Sequence, residues 1–179
     1  MQLHWHDNPQ YRFTAKPDLM CEPLFRRNMS HLAQYKLSFD LQVFAGQMAD
    51  AAELAAEFPA TTFILQHAGM LEDLSTDGWT AWREGMTKLA GQPNIVSKLS
   101  ALGTFVHKVD GRLIGDIAHE TIGMFGADRC LFGSNFPIEK LWSNYDLLIK
   151  AYRDALAGYP LAAQDEIFSG TAKRVYWID

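Results

Sequence analysis

Short β-prone runs alternate with amphipathic helical stretches along the 179 residues of this chain. Such alternation is typical of parallel βα units, because neighbouring parallel strands need a crossover connection that is usually a helix. The patterns predict five strands and six helices. The predicted strands cover residues 1–6, 38–44, 62–66, 94–100 and 129–133, and the predicted helices cover residues 23–36, 47–58, 77–90, 112–125, 141–157 and 163–176.

Two segments show these periodicities clearly. Residues 62–66 are nearly all apolar or β-branched, which suits a strand buried on both faces of a parallel sheet. In the third predicted helix, Trp82, Met86 and Leu89 recur at spacings of four and three residues, which gives the helix one apolar stripe. Because no Ser/Gly-rich linker or change of composition divides the chain, we predict a single α/β domain over residues 1–179.

Charge and hydropathy exclude several classes of function. Sixteen basic residues against 21 acidic ones give a net charge of −5, without a basic stripe for nucleic acid. The sequence contains neither an 18-residue apolar run nor a signal-peptide pattern. Cys21 and Cys130 lie far apart, as in proteins of a reducing compartment. We therefore expect a cytoplasmic protein that binds a small-molecule substrate and neither nucleic acid nor a membrane. A homo-oligomeric state is possible from the sequence.

Polar side chains stand at or near the end of every predicted strand. In parallel α/β folds the loops after the carboxyl ends of the strands carry the chemistry. Burying a polar group without a hydrogen-bond partner costs on the order of 2–7 kcal/mol, so a polar side chain at a strand end is either paired or has a function. The pattern therefore predicts one polar site at this end of the sheet. Its candidate residues are His4, His6, Gln42, His67, Lys98 and Asn135.

Several of these side chains have more than one interpretation. His4 and His6 share one face of the first predicted strand, where they could hold a metal, contact a substrate or form a plain polar edge. His67 is either a catalytic group or a hydrogen-bonded structural histidine. Lys98 lies inside a strand and needs a carboxylate partner or a functional role. Arg12 is either an ordinary loop cation or a binder of a substrate carboxylate.

Three segments together resemble a known family. They are residues 63–69 (FILQHAG), 94–100 (NIVSKLS) and 129–137 (RCLFGSNFP). In this order and spacing they resemble the amidohydrolase-2 group of TIM-barrel hydrolases, which contains sugar-acid lactonases and pyrone-dicarboxylate lactonase. The resemblance spans essentially the whole chain and implies a partial TIM barrel in which these residues supply strands four to eight. We expect about three further βα units upstream, on the order of 90–120 residues.

The resemblance also implies roles for two residues. His67 matches the histidine of strand six, which polarises the substrate carbonyl or binds a metal. Asn135 matches a strand-eight position that is usually Asp, the base that activates water. An amide cannot accept a proton at neutral pH, so the base would be Glu139, Glu72 or Asp73, among which spacing does not choose.

The family implies hydrolysis of a C–O ester bond in a small carboxylated or sugar-acid lactone. His67 and Asn135 would then be catalytic, and His67 would stabilise the developing oxyanion. We expect no cofactor, since three converging zinc ligands are not visible and His67 is the one metal candidate; zinc in the full-length form is the alternative. The expected substrate-binding residues are His4, His6, Arg12, Gln42, Lys98, Glu72 and Glu139.

Two other functions stay open from sequence alone. A five-stranded half-barrel leaves sheet edges unpaired, so the chain could act only as a binding or assembly module. A related metal-dependent decarboxylase would need ligands from outside these 179 residues.

Overall fold

A computed structural model describes residues 2–178, in which four parallel strands form one sheet in the order β1-β2-β3-β4. Phe39 and Leu41 of β1 lie opposite Phe63 and Leu65 of β2. The sheet is the parallel α/β architecture that the alternating pattern predicted. The strands are β1 (Phe39–Leu41), β2 (Phe63–Leu65), β3 (Ile95–Leu99) and β4 (Cys130–Phe132).

Helices follow the strands as predicted, and polar side chains cap three of them. Ser75 accepts a hydrogen bond from the backbone N–H of Gly78 at the start of α3, and Asp110 and Asn144 cap α4 and α5 in the same way. The helices are α1 (Pro23–Gln34), α2 (Met48–Glu57), α3 (Thr76–Ala90), α4 (Gly111–Phe125), α5 (Tyr145–Leu156), α6 (Leu161–Asp165) and α7 (Thr171–Tyr176).

The prediction of a strand at residues 1–6 is wrong for the part that the structure describes; its first residue lies outside that part. Gln2 forms a single parallel bridge to Gln42, and no ladder continues from it. The backbone N–H of Trp5 donates to the side chain of Gln47, and the carbonyl of His4 accepts from the loop residue Phe13. The N–H of Trp5 and the carbonyl of His4 are therefore hydrogen-bonded to groups outside the sheet, so they cannot pair with a neighbouring strand.

Two predicted helix boundaries also move. The helix predicted over 141–157 begins only at Tyr145, because residues Ile138–Leu141 form a separate 3₁₀ turn. The helix predicted over 163–176 begins at Leu161 and contains a π turn at Glu166–Gly170 between α6 and α7.

The chain divides into two compact units, one up to Val96 and one from Ser97 onward. In the first unit, Trp82 and Met86 of α3 are fully buried with Met48 of α2. In the second unit, Tyr152 of α5 is buried almost completely. Within residues 2–178, no helix combines the length and the apolar character needed to cross a membrane.

We expect Gly85→Ala to destabilise the first unit. A Cβ at Gly85 would lie 2.4 Å from Met48 Sδ and 2.9 Å from Met48 Cβ, so α2 and α3 would have to move apart. Overpacking of this kind costs about 1–3 kcal/mol, which outweighs the gain of about 1 kcal/mol in helix propensity.

Gly123→Ala in α4 is the matched control, because nothing lies within 4 Å of a Cβ built there. We expect this variant to be stabilised by about 0.5–1 kcal/mol. Urea unfolding of both variants measures the difference. Equal stabilisation of the two would contradict the close packing of α2 on α3.

Candidate active site

A cavity of about 460 Å³ opens in the first unit where the chain leaves the carboxyl ends of the sheet. Phe44 follows β1, Glu72 follows β2, and Trp5 and His6 follow the bridge at Gln2. This is the end at which α/β enzymes place their chemistry. The lining residues with acidic or ring side chains are Asp7, Asp18, Asp50, Glu72, Trp5, His6 and Phe44.

His6 is held in one orientation and one tautomer. Its Nδ1 accepts a hydrogen bond of 2.9 Å from the backbone N–H of Asn8. In a neutral imidazole the proton then sits on Nε2, which lies 3.5 Å from Oε1 of Glu72. The rings of Phe44 and Tyr11 pack edge-on against the imidazole, with ring centroids 5.1 and 5.4 Å away. His6 therefore presents an N–H donor to Glu72.

Glu72 is a half-buried carboxyl at the wall of the cavity. Burial raises its pKa above the usual glutamate value, with a further contribution from the charge of Asp73. The backbone N–H of Glu72 and the nearby His6 act in the opposite direction but do not cancel the effect of burial. A carboxylate with a raised pKa is a stronger proton acceptor than an ordinary glutamate.

His4 is packed differently from His6. Its ring lies between Phe13 and Phe44, with centroids 5.6 and 5.7 Å away. Its Nδ1 is buried and has no hydrogen-bond partner among the described residues, and burial lowers its pKa. We interpret His4 as a neutral packing residue beside the cavity.

Arg12 and Gln42 both make contacts within the first unit, Arg12 with a loop and Gln42 with a methionine side chain. The Arg12 guanidinium donates to the carbonyls of His6 and Asp7 and lies 4.9 Å from the centroid of the Trp5 ring. It thus fixes the loop that carries His6. The Gln42 amide lies 3.2 Å from Sδ of Met70.

His67 lies in a strained turn directly after β2. His67, Ala68 and Met70 all have positive φ angles, of 57°, 46° and 54°, which cost non-glycine residues on the order of 1–2 kcal/mol each. The indole of Trp82 holds the turn by donating to the carbonyl of Ala68 at 2.8 Å. Strain that the surroundings maintain in this way is common at functional sites.

In the second unit, Glu139 anchors Asn135. Glu139 is 1% exposed, and its carboxylate accepts hydrogen bonds from Thr104 Oγ1 (3.1 Å), Asn135 Nδ2 (3.2 Å) and Trp142 Nε1 (2.7 Å). With Nδ2 engaged, the Asn135 amide is oriented by Glu139. Three donors occupy the Glu139 oxygens, so this carboxylate is engaged in holding the loop side chains around it.

Among the described residues, the Lys98 ammonium contacts the side chain of Tyr176. Its ammonium lies 3.3 Å from the hydroxyl of Tyr176 and 5.4 Å from the centre of that ring. Its stem runs along Gly133, where an added Cβ would lie 2.8 Å from Lys98 Cε.

Sequence patterns did not single out Trp5, Phe44, Gln47 or Asp50 as site residues. Gln47 is 5% exposed and bonds Trp5 N–H, the Leu3 carbonyl and the Pro17 carbonyl, so it holds the loop over the cavity. The sequence signal that could have identified Gln47 is a side-chain amide placed directly before the apolar helix α2.

A second cavity, of about 560 Å³, lies between α4 and α5 of the second unit. Its charged groups are paired locally, as in the Lys150–Asp154 ion pair. It is lined by helix residues and not by the ends of strands, so it offers less for catalysis.

The described residues do not fit a catalytic zinc site. Such a site needs three protein ligands and an open position. Within residues 2–178, no three His, Cys, Asp or Glu side chains are grouped to hold a metal ion. No catalytic step is therefore assigned to a metal.

Comparisons with known proteins agree with this architecture. The profile of the amidohydrolase family matches residues 1–178. The chain is 33% identical over 174 residues to uncharacterized protein y4mH of Sinorhizobium fredii, which covers 97% of this chain and 58% of that protein. It is 29% identical over 163 residues to an L-fucono-1,5-lactonase of Burkholderia multivorans, covering 85% and 55% respectively. The chain thus spans little more than half the length of these relatives.

Solved structures show the same similarity. A crystal structure of an amidohydrolase from Burkholderia multivorans with bound HEPES superposes with a TM-score of 0.86 at 25% identity. The match covers 100% of this chain and 64% of the other. A second crystal form of an amidohydrolase from that organism contains zinc and superposes equally well.

Proposed function

This chain belongs to the amidohydrolase family, and from that premise we propose that it serves in hydrolysing the ester bond of a neutral sugar lactone. The 29% identity to an L-fucono-1,5-lactonase supports the reaction. The observation that carries the choice of substrate is the lining of the 460 Å³ cavity.

Four carboxyl side chains line this cavity, and none of its described lining residues is Lys or Arg. A substrate carboxylate would meet like charges there, whereas sugar hydroxyls can donate hydrogen bonds to the same oxygens. The rings of Trp5 and Phe44 offer apolar faces against which the C–H groups of a sugar ring can pack. Arg12, which the sequence suggested as a carboxylate binder, donates instead to the backbone carbonyls of His6 and Asp7.

His67 and Asn135 are not among the described residues that line this cavity, so their catalytic roles stay predictions of the family resemblance. His67 would donate to the lactone carbonyl oxygen as negative charge develops on it. Asn135 lies in the second unit, where its amide is oriented by Glu139, and its predicted contact with a water molecule or a hydroxyl rests on the resemblance alone.

We expect the full-length gene product to hydrolyse 1,5-lactones of neutral sugar acids in a panel assay that follows proton release. The 179-residue chain is assayed beside it, with metal analysis of the same samples. Failure of every lactone in the panel would contradict the proposed function. Stoichiometric zinc with loss of activity on chelation would show that a metal takes part and that its ligand set extends beyond the described residues.

A further inference from the structure

We propose that Glu72 is the general base of this site and that His6 positions it as an N–H donor. The inference rests on the proposed function and names the residue that supplies what Asn135 cannot. It is carried by the geometry of the cavity, in which both side chains line the same wall.

The other two candidate bases are occupied. The Asp73 carboxylate accepts from the backbone N–H and the hydroxyl of Ser75, both at 2.9 Å, and it is a turn residue at the start of α3. Glu139 is buried and accepts from three donors. Glu72, by contrast, has a side chain that is 16% exposed and faces the cavity.

The tautomer of His6 assigns the two roles. Nδ1 of His6 accepts from the backbone N–H of Asn8, so that nitrogen is engaged within its own loop. The Nε2–H of His6, 3.5 Å from Glu72 Oε1, can orient the carboxylate and leave the other oxygen for a water molecule.

In the proposed reaction, Glu72 carries one proton from water to the ring oxygen of the lactone. The Glu72 carboxylate accepts a proton from water while the water oxygen bonds to the lactone carbonyl carbon, and the carbonyl π electrons move onto its oxygen. The tetrahedral intermediate then collapses and the ring C–O bond breaks. The ring oxygen keeps the electron pair and receives the proton from Glu72, which yields the open-chain hydroxy acid.

The proposal predicts the pH dependence of kcat/KM. Activity needs the ionised form of Glu72, so it falls as pH drops through the pKa of this carboxyl. Burial and Asp73 raise that pKa and His6 lowers it, so the acid limb lies above that of an ordinary glutamate. The other acidic groups that line the cavity are Asp7, Asp18 and Asp50.

We expect Glu72→Gln in the full-length protein to lower kcat by about a hundredfold or more, with little change in KM, because general base catalysis contributes 10²–10⁴-fold. The acid limb should also disappear. Asp77→Asn is the matched control: it removes a nearby exposed carboxyl that does not line the cavity and should leave kcat within about twofold of wild type.

The positioning role of His6 has its own readout. His6→Gln keeps an N–H donor near the Nε2 position and should keep kcat within about tenfold of wild type. His6→Phe removes the donor, so the acid limb should move to higher pH because the carboxylate loses a stabilising partner.

The outcomes separate this inference from the proposed function. Lactone hydrolysis by Glu72→Gln at the wild-type rate would overturn the base and leave the function standing. A wild-type protein that hydrolyses no lactone would remove both. Nitrogen-15 NMR that finds the proton of neutral His6 on Nδ1 would overturn the positioning role in either case.

Discussion

Asn135→Asp is expected to destabilise the second unit by about 3 kcal/mol at pH 7, because it places a second carboxyl against the buried Glu139. The Asn135 amide nitrogen now donates to Glu139 Oε1 at 3.2 Å. Two carboxylates at that distance cannot both be ionised, so the folded state must keep a proton that the unfolded state releases.

The direction of the pH effect follows from linkage. The folded-state pKa of the new carboxyl is raised above its unfolded value. Stability relative to wild type is therefore unchanged below about pH 4 and falls as the pH rises above it, because the unfolded state loses its proton first. Urea unfolding between pH 4 and pH 8 measures this difference.

Asn144→Asp is the matched control, since Asn144 caps α5 at an exposed position and aspartate caps equally well. We expect its stability to change by less than about 0.5 kcal/mol. If Asn135→Asp instead raised the rate of lactone hydrolysis at neutral pH, position 135 would be able to hold the base, and the interpretation of Glu139 as an anchor would be wrong.

His67→Ala is expected to reduce kcat by about a hundredfold, the effect of losing one oxyanion donor. Because the backbone at position 67 has a φ of 57°, the free energy of unfolding of this variant is measured as well. His67→Gly removes the same imidazole and relieves the strain, and we expect it to be more stable than His67→Ala by about 1 kcal/mol.

The pair separates catalysis from folding. Both variants should lose activity equally while differing in their free energy of unfolding. His31→Ala, on the exposed face of α1, is the control and should keep wild-type kcat. Wild-type turnover in either His67 variant would remove the imidazole from the mechanism.

Local pattern predicted most of the fold because it is encoded over a few residues at a time. The apolar stripe and the Ser75 cap fix α3 at Thr76–Ala90, one residue from the prediction of 77–90. The pattern at residues 1–6 could not reveal that this segment is not a strand. One of its backbone N–H groups binds the Gln47 side chain, which lies more than forty residues away in the sequence.

Of the site residues predicted from the sequence, two line the cavity, and their pairing could not be predicted. His6 and Glu72 were both singled out, yet their approach to 3.5 Å depends on loops separated by 65 intervening residues. The hydrogen bond from Thr104 to Glu139 likewise joins residues distant in the sequence, so the local hydrophobic pattern could not predict it.

We propose that the acidic cavity with aromatic walls binds a neutral sugar lactone for hydrolysis. The most direct measurement is the ratio of kcat/KM for a neutral 1,5-lactone to that for the same lactone bearing one additional carboxylate. We predict a ratio of at least about ten, since repulsion from the lining carboxylates costs the charged substrate on the order of 1–2 kcal/mol. A ratio at or below one would contradict the account.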